Sequence, residues 1–371
     1  MKKTPGEYIA LRNSFKPGDI NFIFLYESPQ ADGAYFYDFK NTRKDLLFKP
    51  MMKLIDFKYS FLNEQIKLKG LRKFQELGYF VVDSVYEPVN TIPIDGVRDK
   101  IILNNFNELV DDLKSISADT LAIPIILVKT NTFRLLNGKL KKSGFNVVND
   151  SVPVPNLTDN KEDKFLRRIN EIFVCQQIIA NKQLRKYYLP LGIPHEYSVK
   201  SSKVKAIVIG ADPSNFDSSG NTRVYSHVFD IMGKGATLFG DINDNLRSAG
   251  LDKMNIYVQN LVRNYMTLDA SIKMMWPHFA ELWKPLLKSD LDILDPKREL
   301  PVFVTEEYVL DALLNPGEER LKQPIDYYVN GTIIEPDQNT LNRSLVPCFT
   351  GAYAYTDFPL FVKKVRKRLM L

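Results

Sequence analysis

Cysteine is nearly absent: Cys175 and Cys348 are the only two in 371 residues. Two thiols cannot frame a disulfide-stapled fold, and these show no paired metal spacing. An iron–sulfur cluster held by four cysteines is excluded. Histidine is equally scarce; His195, His227 and His278 are scattered and form no zinc pattern. No apolar run reaches the roughly 18 residues that a membrane span needs. The first residues, Met1-Lys2-Lys3-Thr4-Pro5-Gly6-Glu7, lack the apolar core of an export signal. No Walker-type loop or dinucleotide fingerprint is present; Gly233-Lys234-Gly235 lacks a following helix-start serine or threonine. The expectation is a chain without metal or cofactor, without a membrane partner, in a reducing cytoplasmic compartment.

What is present suits a globular protein. The hydrophobic fraction is 44% and the charged fraction 25%, so a core can form without staples. The length points to about two domains. Net charge is +6. A basic face gains from counterion release on nucleic acid, so DNA fits as a partner, as do many others.

Short apolar runs closed by turn chemistry predict strands. In the first half these are residues 21–26, 78–83, 124–129 and 145–148, with helical stretches at 99–116, 133–142 and 162–179. The second half repeats the order, with strands at 204–209, 255–260, 301–305 and 344–349 and a closing helix over 358–369. In that helix Phe361, Val365 and Leu369 fall four apart and face the core. Near-continuous apolar strands alternating with helices predict a mainly parallel sheet covered on both faces. The architecture expected is therefore a three-layer α/β/α sandwich, occurring twice. Phe133-Arg134-Leu135-Leu136-Asn137 also reads like Leu310-Asp311-Ala312-Leu313-Leu314-Asn315. The expected domains are residues 1–185 and 186–371, joined in the stretch that carries Pro190, Pro194 and Ser201-Ser202.

In the second half, Gly210-Ala211-Asp212-Pro213 closes a strand. It puts a carboxylate at the carboxyl end of a sheet, where open α/β sheets bind ligands. Asp-Pro is also a common turn. Ser226-His227-Val228-Phe229-Asp230 follows, and Asn260 ends the next strand before Leu261-Val262-Arg263-Asn264-Tyr265. Asp212 can hold a water, Phe229 can stack on a base, and the Asn260 amide offers a donor and an acceptor in one plane. An enzyme acting on a flipped-out base needs these groups.

This half resembles the uracil-DNA glycosylase superfamily. Gly210-Ala211-Asp212-Pro213 is similar to that family's Gly-Gln-Asp-Pro-Tyr-His motif at the glycine, aspartate and proline. Ser226-His227-Val228-Phe229-Asp230-Ile231 occupies the place of the stacking phenylalanine. Tyr257-Val258-Gln259-Asn260-Leu261-Val262 resembles the strand whose asparagine reads uracil. The resemblance implies that Asp212 positions the water, Phe229 stacks and Asn260 bonds the base, without metal. The first half resembles other branches through Tyr26-Glu27-Ser28-Pro29, which is similar to Gly-Glu-x-Pro-Gly. There Phe36 would be the ring, and Asp83 stands where the asparagine would be. Glu27, Phe36 and Asp83 thus form a second candidate pocket. An ionised Asp83 would repel uracil's carbonyl oxygens.

Both halves depart from the family at its last motif, His-Pro-Ser. The first has Pro153-Val154-Pro155-Asn156 and the second Pro347-Cys348-Phe349-Thr350-Gly351, with no histidine in either. Tyr353 and Tyr355 are open to two readings, a wedge into the duplex or surface packing. The basic run Lys363-Lys364-Val365-Arg366-Lys367-Arg368 either tracks phosphates or is the solvated face of a terminal helix. Two functions lead: a DNA glycosylase hydrolysing the N-glycosidic bond of uracil or a related base, or an inactive module of the same fold that binds nucleic acid or a nucleobase; an α/β interaction scaffold is a third reading.

Overall fold

The computed structural model describes residues 3–43, 46–92, 95–149, 154–155, 162–217, 219–233, 239–267, 274–315, 323–348 and 358–368. The chain divides into two units, Met1–Ile172 and Phe173–Leu371. This division lies ahead of the expected boundary at 185/186. The reason is that Val174, Cys175 and Ile178, on the helix over Glu162–Ala180, join the core of the second unit.

The first unit contains α1 (Pro5–Asn13), β1 (Phe22–Tyr26), α2 (Phe48–Leu54), α3 (Glu64–Glu76), β2 (Tyr79–Asp83), α4 (Asp95–Asn104), α5 (Phe106–Ile116), β3 (Ile125–Leu127) and α6 (Thr130–Lys142), and the helix α7 (Glu162–Ala180) begins in it. Its sheet is parallel, with β1 between β2 and β3. The turn into β2 needs Gly78, whose φ is +71°. A Cβ there would meet the Asp19 carbonyl oxygen at 2.8 Å.

The fourth strand expected at 145–148 is reduced to single bridges, Ile125 with Val147 and Val128 with Val154. A side chain takes over the pairing between them. Asn149 accepts from the Leu127 N–H and donates to the Leu127 carbonyl, both at 2.9 Å. Its amide completes the β3 edge where a strand backbone would have done so.

The second unit contains β4 (Tyr188–Leu189), β5 (Tyr197–Ser198), β6 (Ala206–Gly210), α8 (Gly240–Ser248), β7 (Ile256–Asn260), β8 (Tyr265–Met266), α9 (Trp276–Leu294), β9 (Val302–Val304), α10 (Glu307–Leu313), α11 (Pro324–Val329), β10 (Leu345–Pro347) and α12 (Phe358–Arg368). Its main sheet runs β10-β9-β6-β7-β5, parallel except for β5. Every residue of β6 and β7 is buried. Successive strand residues point to opposite faces, so both faces are covered. In each unit the first parallel strand lies between the second and the third. The chain is thus mixed α/β with parallel sheets.

Phe361 and Val365 on α12 are buried, as their spacing predicts, while Lys363, Lys364, Arg366, Lys367 and Arg368 are exposed. Leu369 lies outside the described residues, as do Tyr353, Tyr355 and, in the last-motif segments, Pro153, Asn156 and Phe349-Thr350-Gly351. No helix among the described residues is long and apolar enough to cross a membrane.

The segment after β7 is fixed to α9 by buried polar bonds. Arg263 pairs with Asp290 at 2.6 Å, and the Trp283 indole donates to Asn264 Oδ1 at 2.8 Å. All four side chains are buried. Removing one partner of such a pair strands the other charge. Asp290→Ala is therefore expected to lower the unfolding free energy by about 3–5 kcal/mol, measured by urea denaturation.

Candidate functional site

β6 and β7 pair in parallel register with Gly210 opposite Asn260. Asp212 and Asn260 consequently emerge at the carboxyl ends of neighbouring strands. The backbone continues the pairing, with Leu261 N–H bonded to the Gly210 carbonyl and Val262 N–H to that of Ala211. Phe229 reaches the same place from a short 3-10 turn (Val228–Asp230) in which Phe229 and Asp230 have φ of +55° and +51°. Two consecutive non-glycine residues in the left-handed region are strained, a feature that gathers at functional sites.

Gly210 is the contact point. A Cβ on it would lie 2.1 Å from Phe229 Cζ and 2.7 Å from Asn260 Oδ1. The ring and the amide therefore converge over a residue with no side chain, two positions before Asp212. Asn260 is only 2% exposed, and among the described residues no donor reaches its Oδ1. A buried unsatisfied acceptor is costly, so this oxygen is set up to receive an N–H.

Asp212 is held at both oxygens. The Ser214 backbone N–H donates to Oδ1 at 2.8 Å and the Trp276 indole N–H to Oδ2 at 3.1 Å. Burial nevertheless pushes its pKa up to about 6, against these hydrogen bonds, which favour the ionised form. A carboxylate with that basicity can take or orient a proton near neutrality. Trp276 packs edge-on against Tyr308, with ring centroids 4.8 Å apart. Burial and the Asp212 charge both raise the Tyr308 pKa, so that hydroxyl stays neutral.

The second candidate pocket does not assemble. Glu27 is buried and turns to cations instead: Lys129 Nζ lies 2.8 Å from Oε2, Asn131 donates to Oε1 at 3.0 Å, and Arg98 is 3.8 Å away. Burial works to raise the Glu27 pKa, but Lys129, Asn131 and Arg98 outweigh it and hold the carboxyl below its usual value. Phe36 is a core ring, 4.8 Å from Tyr37 and 5.2 Å from Phe74. Phe36 and Asp83 do line one cavity, with Tyr26 and Tyr35, but Glu27 does not. Its volume of about 20 Å³ has room for about one water and none for a base.

Sequence reasoning missed Ser214 and Trp276 as partners of Asp212, Gly210 as the contact point, and Lys129 as the residue that locks Glu27. Trp276 lies 64 positions from Asp212, and nothing in its local pattern announces where its N–H points. Among the described residues no group of three or more His, Cys, Asp or Glu side chains could hold a metal ion. No protein-family model matches this sequence, and no curated protein matches it as a relative.

Gly210→Ala would force Phe229 and Asn260 apart. It is expected to destabilise the fold by about 1–3 kcal/mol, read from urea denaturation. Asp212 carries a pH signature as well. An acid with a folded pKa above its unfolded value favours folding below the unfolded value, and this contribution fades as pH rises through the folded one. With 3.8 rising to about 6, wild-type stability should fall relative to Asp212→Asn by on the order of 3 kcal/mol between about pH 4 and about pH 7. Parallel denaturation curves at the two pH values measure it.

Proposed function

We propose that the second unit is a DNA glycosylase of the uracil-DNA glycosylase type, hydrolysing the N-glycosidic bond of uracil or a related base. The observation that carries this reading is the convergence of the Phe229 ring and the unsatisfied Asn260 Oδ1 over Gly210, beside Asp212. A flipped-out base needs a face to stack on and a partner for its edge. Uracil presents an N–H donor next to a carbonyl acceptor, the complement of a side-chain amide. The shared placement of the first strand between the second and third supports a duplicated fold of this type. In this proposal the first unit has lost its pocket to the Glu27–Lys129 pair and to packed aromatic rings.

In the reaction, a water held by Asp212 attacks the anomeric carbon as the bond to the base nitrogen breaks. The bonding electron pair leaves on the base, and the water proton passes to the carboxylate. Charge on the departing base calls for a donor. The absence of a histidine from the last motif favours a second reading, in which the same pocket holds a base without cutting.

The deciding experiment incubates the chain with uracil-, hypoxanthine- and mismatch-containing oligonucleotides, single- and double-stranded. The expected result is base release that Asp212→Asn loses and that rises with pH through about 6, as Asp212 ionises. Binding to these oligonucleotides without release from any of them would replace the enzyme by the binding module.

A further inference from the structure

Asp212 and Glu27 both follow the first parallel strand of their units, Glu27 one residue after β1 and Asp212 two residues after β6. Their partners differ in kind. Glu27 is gripped by the ammonium of Lys129, with Arg98 nearby. Among the described residues Asp212 is gripped by neutral donors, the backbone and side chain of Ser214 and the Trp276 indole. A cation fixes a carboxylate and also removes its basicity. A neutral donor fixes it with a smaller loss of basicity.

The indole suits this task. It has a single N–H and no acceptor, so it cannot turn to offer Asp212 anything else. Trp276 is 1% exposed and sits at the first turn of α9, a helix already fixed to the segment after β7 through Asp290 and Trp283. The Tyr308 ring closes one side of it. The direction of the N–H is therefore set by packing, independently of Asp212.

We infer that Trp276 is a positioning residue for Asp212: its indole N–H orients the carboxylate as a neutral clamp, so that the acid is held in place and remains able to accept a proton. The inference rests on the reading of this pocket as a glycosylase site for its catalytic consequence. The clamp itself does not depend on that reading.

The chain offers an internal control, because Trp276 and Trp283 are its only tryptophans. Trp283 donates to the Asn264 amide, which does not titrate. The test records the two indole ¹⁵N–H resonances of the full chain against pH, with the Asp212 carboxyl followed by ¹³C. Trp276→Phe removes one peak and assigns it. The Trp276 signal is expected to move with the Asp212 midpoint near 6, the Trp283 signal to stay still, and Asp212→Asn to flatten the Trp276 signal. In Trp276→Phe the Asp212 midpoint is expected to rise by about one pH unit, the size of a lost hydrogen bond to a charged acceptor. The acidic limb of base release should move with it.

A Trp276 resonance that ignores the ionisation of Asp212 in the wild type would overturn the inference without any variant having to fold. An unmoved Asp212 midpoint in a folded Trp276→Phe protein would do the same. Both readouts come from resting protein. A wild type that releases no base therefore counts against the glycosylase reading, while a coupled indole signal in that same protein still supports the clamp.

Discussion

The register of β6 against β7 governs everything at the candidate site. Because Gly210 stands opposite Asn260, the amide emerges beside the segment that carries Asp212. A slip of one residue would turn each side chain to the other face of the sheet. The register is carried on past the strands by the Leu261 and Val262 N–H groups, which bond to the Gly210 and Ala211 carbonyls. The absence of a side chain at Gly210 is part of the same constraint. It leaves the space into which the Phe229 ring projects from a strained turn.

The two units show how one topology supports opposite electrostatic outcomes. In each, an acid follows the first parallel strand. In the first unit a lysine and an arginine answer that acid. In the second, burial with no cation on it among the described residues leaves the acid at the edge of ionisation near neutrality. That arrangement costs stability. The cost is carried by a unit with a large apolar core and a buried Arg263–Asp290 pair next to the site.

The sequence made the strands legible because parallel strands are short, apolar and closed by recognisable turns. Seven of the eight expected strands, β1, β2, β3, β6, β7, β9 and β10, appear close to their expected positions. The eighth failed because a side chain, that of Asn149, takes backbone positions that a hydropathy pattern assigns to a strand. Likewise residues 99–116, expected as one helix, form α4 and α5, which meet at Asn105. At the site, the positions of Asp212 and Asn260 were legible because strand ends carry them, whereas Phe229 sits on a 3-10 turn. Their partners were not. The indole of Trp276 and the ammonium of Lys129 are set by tertiary packing, and chain distance hides both. The second pocket was hidden for the same reason: Phe36 and Asp83 line one small cavity, while Glu27 turns to Lys129.

The Asn149 amide has an effect on how the first unit meets other chains. A sheet edge with free N–H and C=O groups is a template on which a foreign strand can add, and proteins guard such edges. On the far side of β3 the Leu127 donor and acceptor are both consumed by one side chain, and Val147 and Val154 hold the flanking positions. An incoming strand would have to break two hydrogen bonds before it formed any. The sheet is thereby terminated from within its own sequence, and the residue that spoils the regular strand also keeps the edge from recruiting another.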